Sequence, residues 1–179
     1  TVTNVAFSAD GKRLLSASPK DGTVKVWDLT RIRPDTVGQE RPTFVETTTP
    51  FQGLKIGYVT SMAMSADGNQ VALAIYDGAA KTKETDTVTV WDAMSFQETL
   101  TLNGQTGRVR SMAFSADGKR LATAGDNQTV KVWDAMSGQE MQTFKGHTGD
   151  VTSVSFSQDG KRLASTSIDL TVKVWDATS

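Results

Sequence analysis

The chain has 179 residues, and its 19 lysine and arginine residues against 20 aspartate and glutamate residues leave a net charge of -1. This balance disfavours nucleic-acid and anionic-membrane surfaces, which bind through bulk positive charge. The lack of cysteine excludes disulfides and thiolate chemistry, and no apolar run reaches the roughly 18 residues that a membrane helix requires. We therefore expect a soluble, cytoplasmic protein without cofactor, metal or membrane partner, and, since the chain begins with Thr1 rather than Met, a piece of a longer protein.

One sequence unit recurs four times along the chain. Four tryptophans, each followed by aspartate, are separated by 64, 42 and 42 residues. Each Trp-Asp pair ends a short alternating segment, and an Asp-Gly segment lies upstream of it. The copies are SADGKRLL (8–15), SADGNQVA (65–72), SADGKRLA (115–122) and SQDGKRLA (157–164), followed by TVKVWD (23–28), TVTVWD (87–92), TVKVWD (129–134) and TVKVWD (171–176). Repetition at this period indicates a repeat architecture.

The third unit, in chain order, predicts four short strands. VRSMAF (109–114) is a β-branched and aromatic run, and the Asp-Gly step after it is a strong hairpin signal because glycine adopts positive φ without steric cost. KRLATA (119–124), TVKVW (129–133) and MQTF (141–144) supply the second, third and fourth strands. A four-stranded sheet cannot bury both faces alone, so neighbouring units must pack on it.

With these motifs the chain resembles the WD-repeat family of β-propellers. The resemblance implies an all-β fold of four-stranded antiparallel blades, at residues 1–47, 58–103, 108–146 and 150–179. The last blade lacks its outer strand, because the sequence ends just after the third strand. It also implies a non-catalytic scaffold that binds a protein or peptide through its loops.

The resemblance further implies a buried polar network of His, Ser or Thr, Asp and Trp in each blade. The fourth unit has all four residues, whereas the third has Gln105, Gly125 and Asn127 at the other positions and keeps only Trp133. In the second unit Lys55 and Ile75 stand at two of the positions. We expect the early blades to be less rigid than the last. The matching residues are His147, Ser167, Asp169, Trp175, Trp133, Asp77, Trp91, Ser18, Asp21 and Trp27.

Two insertions of eight residues each, within 46–58 and 77–86, are expected to meet on one rim above the second blade. Binding in repeat scaffolds is often built on such loops, although surface insertions are also tolerated without any function. On the same rim, the resemblance marks a set of candidate partner contacts. They are Tyr58, Tyr76, Arg108, Arg110, Asp126 and Asp150.

The sequence leaves alternatives on three questions: catalysis, attachment to an effector domain, and closure of the propeller ring. Catalysis is disfavoured because the single histidine, His147, stands at a structural position and no strained nucleophile turn occurs. A sensor or regulatory module fused to a kinase, protease or nucleotide-driven switch is the alternative to a free scaffold. We expect the remaining blades of a closed propeller to lie in a longer chain. A ring closed by two copies of this chain is the second possibility, and a closed ring of four blades is the third.

Overall fold

The computed structural model describes residues 4–18, 23–33, 43–47, 58–76, 85–105 and 107–178. These residues form antiparallel strands arranged in four separate sheets, and they contain no helix that could span a membrane. The first sheet comprises β1 (Asn4–Phe7), β2 (Arg13–Ser18), β3 (Thr23–Arg33) and β4 (Thr43–Thr47). The second comprises β5 (Tyr58–Met64), β6 (Gln70–Tyr76), β7 (Thr87–Asp92) and β8 (Glu98–Leu102).

The third sheet comprises β9 (Val109–Phe114), β10 (Arg120–Gly125), β11 (Thr129–Asp134) and β12 (Glu140–Lys145). The fourth comprises only β13 (Val151–Phe156), β14 (Arg162–Ser167) and β15 (Val172–Asp176) within the described residues. The all-β fold class and the three-stranded last sheet are thus confirmed. The blade boundaries stay predictions. Strand β4 ends at Thr47, so residues 46 and 47 belong to a strand rather than a loop, and residues 48–57 and 77–84 lie outside the described residues.

The sheets pack in series through one recurring contact. In the first three sheets the alternating valines of the third strand lie under the first strand of the next sheet, so that Val88 and Val90 share a buried cluster with Val109 and Met112. The same contact joins the first sheet to the second and the third to the fourth. Burying such a side chain is worth roughly 1.5–3 kcal/mol. The apolar core therefore lies between sheets rather than inside any one of them.

The turn between the first and second strands of each sheet is held by a serine and an aspartate. In the third sheet the Ser115 hydroxyl donates to Asp117 at 2.5 Å and accepts the amide of Arg120 at 3.0 Å, while the amide of Lys119 donates to Asp117 at 3.1 Å. The hydrogen bond from Ser115 and, after it, the one from the amide of Lys119 hold the pKa of Asp117 below its usual range. Equivalent bonds occur in the other three sheets. The repeated Asp residues are therefore structural.

The turn between β14 and β15 carries local strain at one exposed position. Leu170 adopts a φ of 66° and its side chain is 96% exposed. A left-handed conformation costs an L-residue with a Cβ roughly 1–2 kcal/mol, and glycine avoids this cost. No burial compensates for the strain at Leu170.

We expect Leu170→Gly to raise the free energy of unfolding by about 0.5–1 kcal/mol, since part of the relief is offset by the greater freedom of glycine in the unfolded chain. Leu170→Ala is the matched control, because it removes the same exposed side chain but keeps the Cβ. Urea denaturation of the three proteins measures the effect. An unfolding midpoint for the glycine variant no higher than that of the alanine variant would contradict the prediction.

Candidate functional site

Five of the six predicted contact residues have described side chains, and they lie at strand ends on one rim. Tyr76 ends β6, Arg108 precedes β9, and Asp150 precedes β13. Arg110 lies on β9 and Asp126 follows β10. For Tyr58 only the backbone is described, and it pairs with Tyr76. The rim is therefore shared by the second, third and fourth sheets.

An arginine–tyrosine pair joins the second and third sheets at this rim. The guanidinium carbon of Arg108 lies 4.3 Å from the centroid of the Tyr76 ring, a stacked cation–π contact. Stacking orients the guanidinium plane and leaves its N–H groups at the edge. Among the described residues, no side chain forms a salt bridge with Arg108, which is exposed. The pair thus presents a positioned cation to solvent.

A second arginine joins the third and fourth sheets. The Nε atom of Arg110 donates to Asp126, and its terminal nitrogen lies 3.1 Å from a carboxylate oxygen of Asp150. The hydrogen bond to Asp126 raises the pKa of Arg110 above its already high value. Exposed ion pairs add little stability singly, but one guanidinium held by two carboxylates is fixed in direction. Arg110 is therefore less available than Arg108 to an incoming group.

A buried carboxylate beneath the rim connects the second and third sheets. Asp86, just before β7, accepts the hydroxyl of Thr60 at 2.5 Å and the amide of Val109 at 2.8 Å. Its own amide donates to the carbonyl of Gly107 at 3.3 Å. Burial raises the pKa of Asp86. Sequence reasoning placed this residue only at the end of a loop, and no repeated motif marks it as the link between the second and third sheets.

A close backbone approach sets the position of Arg108. A Cβ placed on Gly125 would lie 1.8 Å from the carbonyl oxygen of Arg108. That oxygen accepts the amide of Asp126 at 3.1 Å, so only glycine at position 125 permits the bond. An open depression lies beside this contact at the rim, lined by Thr60, Arg108, Val109, Arg110, Asp126 and Thr152. It offers guanidinium and hydroxyl groups side by side.

The polar network of the fourth sheet differs from the prediction in its serine. The indole N–H of Trp175 donates to Ser165 at 2.8 Å, and Nε2 of His147 lies 2.8 Å from the same hydroxyl. His147 Nδ1 lies 2.8 Å from Asp169, and because a carboxylate only accepts, Nδ1 carries the proton. Ser167, the predicted member, instead donates to the carbonyl of Gly149 and accepts the amide of Asp169. The hydroxyl position was therefore predicted two residues too late.

The same displacement applies to the first and third sheets. In the third, Trp133 donates to Thr123 at 2.9 Å and Thr123 donates to Gln105 at 3.0 Å, so the network does not reduce to the tryptophan alone. In the first, Trp27 donates to Ser16 at 2.8 Å rather than to Ser18. Ser18 is buried, and its hydroxyl has no partner in the described part of the chain. Asp21 and Asp77, two further predicted members, lie outside the described residues.

In the second sheet the acceptor of the indole N–H lies on a different strand. Leu73 occupies the hydroxyl position on β6, and the indole N–H of Trp91 donates to Thr89 on its own strand at 2.8 Å. Thr89 lies directly opposite Leu73 in the strand pairing. Each of the four tryptophans therefore finds a hydroxyl acceptor. The expectation that the early blades are less rigid stays a prediction.

The chain of Ser165, His147 and Asp169 has the hydrogen-bond order of a catalytic triad. However, Ser165 is only 1% exposed and its oxygen already accepts the N–H of Trp175. A substrate could not reach it without displacing the indole. The hydroxyl of Thr171 and the other hydrogen bonds to Asp169 hold its pKa well below the usual range. Within the described ranges, no cluster of three or more potential metal ligands occurs.

We expect Thr123→Val to lower the free energy of unfolding by about 1–3 kcal/mol, because it leaves the buried indole N–H of Trp133 without an acceptor. Thr123→Ser is the matched control, since it keeps the hydroxyl and removes only a methyl group. Guanidinium denaturation followed by tryptophan fluorescence measures both. Equal losses in the two variants would contradict the prediction, because Thr123→Ser keeps the acceptor that Thr123→Val removes.

Comparison with protein-family models gives one finding. The model described as WD domain, G-beta repeat matches residues 1–28, 96–134 and 138–176, together more than half of the chain. Two of these segments end at the Trp-Asp pairs of the third and fourth sheets, and the first ends at Asp28. The matched segments therefore coincide with the strands that hold the polar networks.

Proposed function

Since this chain belongs to the family of WD-repeat proteins, whose repeats generally act as scaffolds for protein interaction, we propose that it binds a protein or peptide at the rim of Arg108. The observation that carries the proposal is the stacked Arg108–Tyr76 pair beside the open depression. A preoriented guanidinium binds carboxylates with little further loss of side-chain freedom. The preferred partner is thus an extended segment with an acidic side chain.

The neighbouring residues favour this partner over a basic one. Arg110 already satisfies Asp126 and Asp150 through hydrogen bonds, so these carboxylates are occupied. The exposed guanidinium of Arg108 makes no such bond to the described residues. The rim therefore has one exposed cation, Arg108, next to the ion-paired group formed by Arg110 and its two aspartates.

The two inserted loops are proposed to extend the binding surface. Residues 77–84 lie between Tyr76 and the segment that contains Asp86, so this loop leaves and re-enters the fold beside the Arg108–Tyr76 pair. Deletion of residues 78–85 tests this part, because Asp86 and its bonds to Thr60 and Val109 stay in the chain. Unchanged binding after the deletion would remove the loop from the proposal.

We expect Arg108→Ala to weaken the binding of peptides selected from a random display library by at least tenfold, equivalent to about 1.4 kcal/mol. Fluorescence polarisation with the selected peptides measures the change. Lys119→Ala is the matched control, because Lys119 is an exposed cation in the turn at the opposite rim. Equal affinity of the Arg108 variant and the parent protein would contradict the proposed site.

A sensor or regulatory module joined to a kinase, protease or nucleotide-driven switch is the alternative proposal. It uses the same rim, and differs only in what is covalently attached. The complete reading frame distinguishes the two. A cytoplasmic location and a lack of nucleic-acid binding are proposed on the cysteine-free, charge-balanced composition.

A further inference from the structure

Two exposed methionines occupy the same turn position in neighbouring sheets. Met94 follows β7 and Met136 follows β11, each two residues after the aspartate of its Trp-Asp pair. They are 65% and 72% exposed. In the first and fourth sheets a threonine stands at this position, Thr30 and Thr178. The two methionines therefore lie at the ends of strands that begin at the Arg108 rim, which places them on the opposite rim.

Each of these methionines receives an N–H group from the preceding sheet. Nη2 of Arg13, at the start of β2, lies 3.0 Å from Sδ of Met94. Nε2 of Gln70, the counterpart of Arg13 at the start of β6, lies 3.7 Å from Sδ of Met136. A thioether sulfur is only a weak acceptor. Both contacts therefore place a good donor beside a poor acceptor.

Stronger bonds fix Arg13 at the junction between the first and second sheets. Its Nη1 atom donates to the carbonyl of Gly68 at 2.5 Å and to Oδ1 of Asn69 at 3.3 Å. At the same junction the amide of Ala9 donates to the carbonyl of Ala66 at 3.1 Å, which ties the hairpin turns of the two sheets together. The guanidinium is therefore held in place, and Nη2 lies beside the thioether of the second sheet.

A small cavity beside this contact is accessible to a small oxidant. Its volume is about 150 Å³, and it is lined by Arg13, Val26, Asp28, Ala93, Met94 and Phe96. Such a volume holds several molecules of the size of water, and hydrogen peroxide is only slightly larger than water. Three other methionines are buried between the strands, namely Met62, Met64 and Met112. The cavity and the exposure of Met94 thus distinguish its sulfur from theirs.

We propose that Met94 is a reversible oxidation site whose sulfoxide strengthens the junction of the first and second sheets through Arg13. A lone pair of the sulfur attacks one oxygen of hydrogen peroxide, so that an S–O bond forms as the O–O bond breaks. The leaving hydroxide takes the proton from the oxygen now on sulfur and departs as water; methionine loses two electrons and the peroxide gains them. Rotation about the Cγ–Sδ bond then turns the sulfoxide oxygen toward Nη2 of Arg13. A charge-assisted bond to this oxygen is stronger than the contact with the thioether.

The other exposed methionines provide comparisons within the same chain. Gln70 is neutral and its Nε2 is farther from sulfur, so oxidation of Met136 strengthens its junction less. Met141 on β12 is 53% exposed, and its sulfur accepts no hydrogen bond from the described residues. Its oxidation therefore leaves the junctions unchanged. Binding at the Arg108 rim, at the other ends of these strands, plays no part in this mechanism.

Hydrogen exchange of the Ala9 amide tests the proposal, because this amide bridges the two sheets. A Met136→Leu, Met141→Leu double variant leaves Met94 as the exposed methionine, and mass spectrometry after hydrogen peroxide treatment identifies the modified residue. We expect a sulfoxide at Met94 and Ala9 exchange that is slower by about fivefold. A methionine sulfoxide reductase is expected to restore the original rate. Unmodified Met94, or unchanged or faster exchange after its oxidation, would overturn the proposal.

Substitutions at the two partners separate this bond from a general effect of oxidation. Arg13→Gln places the residue of the second sheet at this position, and we expect oxidation of Met94 then to slow Ala9 exchange by less than about twofold. Equal slowing with either residue would overturn the role of Arg13. Met94→Gln supplies an oxygen acceptor without peroxide and is expected to slow the exchange, whereas Met94→Leu, the matched control, is not. Equal rates in these two variants would overturn the proposal even if Arg13→Gln failed to fold.

Discussion

The structure depends on one constraint, which is that no sheet in this fold can bury its own apolar faces. The valines of β3, β7 and β11, the third strands of the first three sheets, are buried only because the first strand of the following sheet lies on them. Stability is therefore a property of junctions between repeats, and it grows by one junction with each added repeat. The arrangement of side chains at the rim follows from this packing, since the strands that form neighbouring junctions begin at the rim.

The candidate site is built across junctions rather than within a sheet. The Arg108–Tyr76 pair and Asp86 both connect the second sheet to the third, and Arg110 connects the third to the fourth through Asp150. A partner that binds this rim therefore contacts residues whose mutual positions are set by core packing. Such a site is rigid by construction, which lowers the entropic cost of binding.

Most of the architecture was predictable from sequence, because a repeated Asp-Gly turn and a repeated Trp-Asp pair mark four strands per unit. The acceptor of the indole N–H was not. In a strand, residues i and i+2 point to the same face, so Ser165 and Ser167 are equivalent in pattern, and only the pairing of Leu163 with Trp175 brings Ser165 within reach. Asp86 was missed for another reason: it follows an insertion, where no period applies.

The indole acceptor also shows how this repeat can change over evolutionary time. In three sheets a hydroxyl on the second strand faces a lysine on the third, while in the second sheet Leu73 faces Thr89, so the hydroxyl has moved to the opposite strand. Loss of the second-strand hydroxyl is not tolerable alone, since a leucine facing a lysine would leave the indole without an acceptor. A third-strand threonine must therefore be present before the second-strand hydroxyl can be replaced by an apolar side chain.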